Sequence, residues 1–108
     1  MKLRYLAAFL FLAGCGGVLP NSGPAPDLFT LTPKSTFPAD LKLVTWQLVV
    51  EEPVSASALD STRIAIQPSA IEIKYYSGAR WSERAPRMVQ TLLVESFENS
   101  GRIVAVGR

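Results

Sequence analysis

A single cysteine, Cys15, stands directly behind a short apolar leader, and its position decides how much chain is left to fold. Lys2 and Arg4 give the leader a basic start, and Tyr5 to Leu12 form an apolar run too short to span a bilayer. Ala13 and Gly14 are small and offer a cleavage point immediately before the cysteine. Cutting there leaves 94 of the 108 residues, enough for one small domain. No second cysteine exists, so no internal disulfide can brace it. Stability has to come from an apolar core, a partner or further copies of the chain.

The run Leu12-Ala13-Gly14-Cys15 resembles the bacterial lipobox, in which the thiol is acylated and cysteine becomes the first residue. The competing reading is a buried or disulfide-bonded cysteine. Each buried methylene contributes roughly 0.8 kcal/mol, so one acyl chain anchors marginally and two or three, palmitate among them, anchor durably. Gly16 rather than aspartate follows the cysteine, which resembles a signal for onward export to the outer membrane.

Loss of Lys2 and Arg4 takes the balance from 11 Lys+Arg against 9 Asp+Glu to 9 against 9. The alkaline pI therefore belongs mostly to the leader. Arg63, Lys74, Arg80, Arg84 and Arg87 are interspersed with Asp60, Glu72 and Glu83, so no basic stripe speaks for nucleic acid.

Three parts are expected: a signal peptide at 1–14, a lipidated cysteine and flexible tether at 15–26, and a folded body at 27–108. Gly16, Gly17, Pro20, Gly23, Pro24 and Pro26 cannot sustain a helix or a ladder. A flexible stretch of that length reaches roughly 20 Å. Period two then takes over. Phe29 and Leu31 mark a short strand; Val44, Trp46, Leu48 and Val50 mark a longer one that Pro53 ends. A hairpin is expected from Arg63 to Tyr76, turning at Pro68-Ser69 and broken by Ser77-Gly78, with Arg63 pairing with Asp60. Glu51 and Glu52 read as solvated strand-end charges.

Pro86 suits a helix start and Gly101 a left-handed stop. Met88, Val89, Leu92, Leu93 and Phe97 form a stripe at helical spacing, read as core rather than as a lipid groove. Gln90, Thr91, Glu95, Glu98 and Asn99 read as the solvent side. Ile103, Val104 and Val106 open a last strand. The class is α+β: a small, mostly antiparallel sheet packed by one main helix. A strand beginning so near Arg108 also suggests an incomplete domain.

Catalytic equipment is scarce. Histidine is absent and the thiol is expected to be acylated, which removes the commonest general base, a cysteine nucleophile and most transition-metal sites. No serine lies in a Gly-x-Ser-x-Gly elbow and no glycine-rich phosphate loop follows a strand. No cofactor, no metal and no catalytic residue is expected. A hydrolase working through a serine or a carboxylate is the reading that enzymatic turnover would favour.

Asp60-Ser61-Thr62-Arg63-Ile64-Ala65, then Ile73-Lys74-Tyr75-Tyr76 and Ala79-Arg80-Trp81, form a distinctive ordered set. With Leu92-Leu93-Val94-Glu95-Ser96-Phe97 and Ser100-Gly101-Arg102, it resembles the ABC-type transport auxiliary lipoproteins, the PqiC-like proteins that accompany MCE-domain lipid transporters. The resemblance implies a non-enzymatic accessory role at the periplasmic face of the outer membrane. Its implied partners are an MCE-domain protein and, through it, an ABC permease and ATPase. It also implies further strands and another helix beyond Arg108. Self-association as a homo-oligomer fits the same picture. A structural lipoprotein that braces a β-barrel or envelope complex is the alternative.

Tyr75, Tyr76, Arg80 and Trp81 are the candidate partner-binding residues, because aromatic and guanidinium groups concentrate at interface hot spots. Against this, Tyr75 and Trp81 could close the core beneath the helix, with Tyr76 and Arg80 as ordinary surface groups.

Overall fold

The computed structural model describes residues 23–108, and the leader, its cleavage point and Cys15 lie outside the described residues. Five strands and one helix follow in chain order: β1 (Asp27–Phe29), β2 (Val44–Val49), β3 (Arg63–Ser69), β4 (Glu72–Trp81), α1 (Ala85–Ser100) and β5 (Ile103–Gly107). One helix with few strands gives the expected α+β class.

The sheet is mixed rather than mostly antiparallel. Strands β1-β4-β3 form one three-stranded sheet, and β2 pairs with β5 in a second. Only β3 and β4 are antiparallel, because only they are joined by a hairpin. The partners β1/β4 and β2/β5 are far apart in sequence, and such long crossovers permit parallel pairing. The amides of Val44 and Val50 extend the β2/β5 ladder at both ends, donating to Arg102 O (2.8 Å) and Gly107 O (2.9 Å).

The hairpin turns two residues later than the sequence suggests, at Ala70-Ile71. Pro68 lies within β3, in a stretch where the register between Ile66 and Ser69 is irregular, so its missing N–H costs little. Ser77-Gly78 does not end β4 either. Gly78 adopts φ +70°, and β3 advances only from Arg63 to Ala65 while β4 runs from Tyr75 to Arg80. The glycine absorbs a bulge, and the strand continues to Trp81.

Both limits of α1 follow the sequence signals. Pro86 sits in its first turn, and Gly101 at φ +61° donates its N–H to Glu98 O at 3.0 Å. A Cβ at Gly101 would meet nothing within 4 Å, so only backbone conformation is at stake. Gly101→Ala is expected to cost about 1 kcal/mol in denaturant unfolding and Gly101→Asn less, since asparagine tolerates the left-handed region.

The buried face of α1 differs from the expected stripe. Met88 is buried, but Val89, Leu93 and Phe97 are each about 40% exposed. Pro86, Gln90 and Val94 are buried instead. The sequence pattern puts Gln90 on the solvent side, yet its Nε2 donates to Val50 O at 2.8 Å, just past the end of β2. A carbonyl beyond the ladder needs a donor, and Gln90 supplies it. The 86-90-94 row is thus buried, with Gln90 bonded just past β2, while the 89-93-97 row stays about 40% exposed as an apolar ridge. Lys34 N donates to Ser96 Oγ (2.9 Å) and Asn99 Nδ2 donates to Lys34 O (3.0 Å), which pins the β1–β2 connection to this helix.

Candidate partner-binding site

All four predicted residues lie on β4, and Gly78 decides how they divide. Strict alternation would group Tyr76 with Arg80, and Tyr75 with Trp81. The bulge reverses that parity. Tyr76 and Trp81 line one open cleft of about 410 Å³, together with Phe29, Leu31, Ile64 and Ala79. Tyr75 and Arg80 line a second depression of about 430 Å³, whose other walls include Arg63, Pro24 and Pro26. Tyr76 and Ala79 border both. The structure thus makes two neighbouring sites from the four residues rather than one cluster.

The first cleft is lined by aromatic and aliphatic groups, with Thr30 as a polar exception. Phe29 is the register partner of Trp81 across β1 and β4. Backbone bonds hold this corner: Trp81 N donates to Thr62 O and Ser82 N to Phe29 O, both at 2.7 Å. Trp81 is half-buried and Tyr76 is 61% exposed. An open cleft of this kind suits an apolar side chain or an acyl segment from outside.

Tyr75 has a structural task. Its hydroxyl donates to Ala58 O at 2.9 Å, and the Arg63 guanidinium lies 3.5 Å from its ring centroid. It therefore fixes the β2–β3 connection and does not sit beneath the helix. Arg80 is exposed and makes one long contact of 3.5 Å, from Nη1 to Thr62 Oγ1.

Asp60 pairs with Arg84, not with Arg63. Arg84 Nε donates to Asp60 Oδ1 at 2.9 Å, and Nη2 lies 3.0 Å from Glu52 Oε1. The Asp60 hydrogen bond first, then the charges of Asp60 and Glu52, raises the Arg84 pKa above its already high value. Glu52 is thus an ion-pair partner, not a freely solvated strand-end charge. Arg84 ties the end of the β2–β3 connection to the start of α1, where no side-chain cap is present. Sequence reading passed over Arg84 because its partners are distant in the chain.

Among the described residues no helix is long and apolar enough to cross a membrane. A family model for the ABC-type transport auxiliary lipoprotein component matches residues 29–108. No curated protein matches the sequence. Among solved structures, the chain resembles the crystal structure of a Xanthomonas campestris protein assigned to family model DUF330, with 37% identity and a TM-score of 0.69. That match covers 75% of this chain and 47% of the Xanthomonas chain, so the sequence spans less than half of its solved relative.

Proposed function

The chain belongs to the ABC-type transport auxiliary lipoprotein family, and we propose that it is the noncatalytic, membrane-anchored component of an MCE-type system that moves lipids between two membranes. The family match over residues 29–108 carries this reading, and the leader ending in Cys15 supports it. Acylated Cys15 would hold the chain at the periplasmic face of the outer membrane, with Gly16 favouring onward sorting. The tether would let the body engage an MCE-domain protein and, through it, the permease and ATPase. Absence of histidine supports a role without turnover, and acylation of the only thiol would add to it.

Residues 27–108 are read as one part of a larger domain. Support comes from the 47% coverage of the solved relative and from the exposed Val89–Leu93–Phe97 ridge. Further structure, or another copy in a homo-oligomer, would cover that ridge.

Tyr76 and Trp81, which line the first cleft, are the proposed partner contacts. Affinity purification from membranes with the anchor intact is expected to recover an MCE-domain protein. Tyr76→Glu should lower that recovery by at least tenfold, the size of a hot-spot loss, while stability moves within about 0.5 kcal/mol because the side chain is exposed. Crosslinking from Tyr76 to a β-barrel protein instead would support the bracing alternative and overturn this one.

A further inference from the structure

The second depression holds an electrostatic anomaly. Arg63 and Arg80 are direct register partners across β3 and β4, and like charges placed opposite each other destabilise a strand pair. Among the described residues neither has a carboxylate partner. Asp60 is occupied by Arg84, and Asp27, in register with Ala79 beside Arg80, forms no ion pair with it. Arg63 stacks on Tyr75 and Arg80 keeps one long hydroxyl contact, so each guanidinium retains free donors. Pro24 and Pro26 form a wall of the same depression. These prolines end the segment that leads back to Cys15.

From this juxtaposition we propose that Arg63 and Arg80 form a headgroup-binding site for an anionic phospholipid of the membrane to which the chain is tethered. Two guanidiniums offer forked donors suited to a phosphodiester, and an anion between them relieves their repulsion. The site lies where the tether joins the body, since Pro24 and Pro26 line it, and so within reach of the membrane surface. Binding there would orient the β4 cleft relative to the bilayer. The inference rests on the reading of Cys15 as acylated, and the two are tested by separate readouts.

The experiment uses the mature lipidated chain carrying Ser77→Cys with a nitroxide label, reconstituted in vesicles of phosphatidylcholine alone or with phosphatidylglycerol. Flotation and the acyl mass on Cys15 report the anchor. Immersion of the label at headgroup depth, read by collisional accessibility, reports the arginine pair. The ratio of immersed to free label is expected to rise with phosphatidylglycerol. It should fall about fivefold for Arg63→Gln or Arg80→Gln, the contribution of one cation near an anionic surface, and return with Arg80→Lys. Arg80→Gln should melt at or slightly above the parental temperature, since it removes a like-charge pair, while Arg63→Gln also loses the stack on Tyr75 and should melt no higher than Arg80→Gln. Label depth indifferent to lipid charge or to the substitutions, with flotation intact, overturns the proposal and leaves the anchor standing. The same change produced by inorganic phosphate on phosphatidylcholine vesicles also overturns it, as a free-anion site. A bare Cys15 thiol with no flotation overturns both.

Discussion

A chain carrying Cys15→Ser is expected to keep residues 1–14 and to carry no acyl mass, so that intact-mass spectrometry reads it longer at the N-terminus and lighter in lipid. The physical ground is the arithmetic of acyl burial. At roughly 0.8 kcal/mol for each methylene, two long chains contribute on the order of 20 kcal/mol toward membrane residence, and serine offers no thiol to carry them. The leader cannot replace that attachment by spanning the bilayer, because its apolar run from Tyr5 to Leu12 is well short of the length required. Incorporation of labelled palmitate should drop from ready detection to background. An unaltered mass, or a leader removed as efficiently from the serine variant, would show that cleavage proceeds by another route and that Cys15 is an ordinary thiol.

Much of the fold was legible because several signals are local. Pro86 and Gly101 bracket α1 through backbone properties that need no tertiary context, and the alternation from Val44 onward marks β2. What escaped was long-range or cumulative. Parallel pairing of β2 with β5 depends on which strands a crossover brings together, and period two is the same for either direction. Gln90 is buried because a carbonyl at Val50, forty positions earlier, needs a donor. The division of Tyr75, Tyr76, Arg80 and Trp81 into two sites turns on one positive φ at Gly78. That glycine was visible, but it reads equally as a strand end or a bulge. Arg84 meets Asp60 and Glu52 only after folding, and nothing near it in the chain announces either partner.

Met88→Ala is expected to be the most damaging single truncation of the folded body. Met88 is 4% exposed, and the other buried apolar side chains among the described residues are few, Ala79 and Val94. Removing a buried methionine typically costs about 2–5 kcal/mol, from lost transfer energy and the cavity left behind. For a domain of this size each kcal/mol lowers the melting temperature by about 4–8 °C, so a fall of roughly 10–30 °C should appear in thermal circular dichroism. Leu93→Ala is the matched control, because Leu93 belongs to the same sequence stripe but is 39% exposed. Its loss should be well under half that of Met88→Ala, since much of its surface already meets water. The ratio tests which of the two positions is packed: a severe Leu93→Ala beside a mild Met88→Ala would contradict the burial of Met88 and the exposure of Leu93. Repeating the pair in the assembled transporter complex adds a further step. If the Val89–Leu93–Phe97 ridge is covered there, Leu93→Ala should become nearly as costly as Met88→Ala, while Met88→Ala changes little.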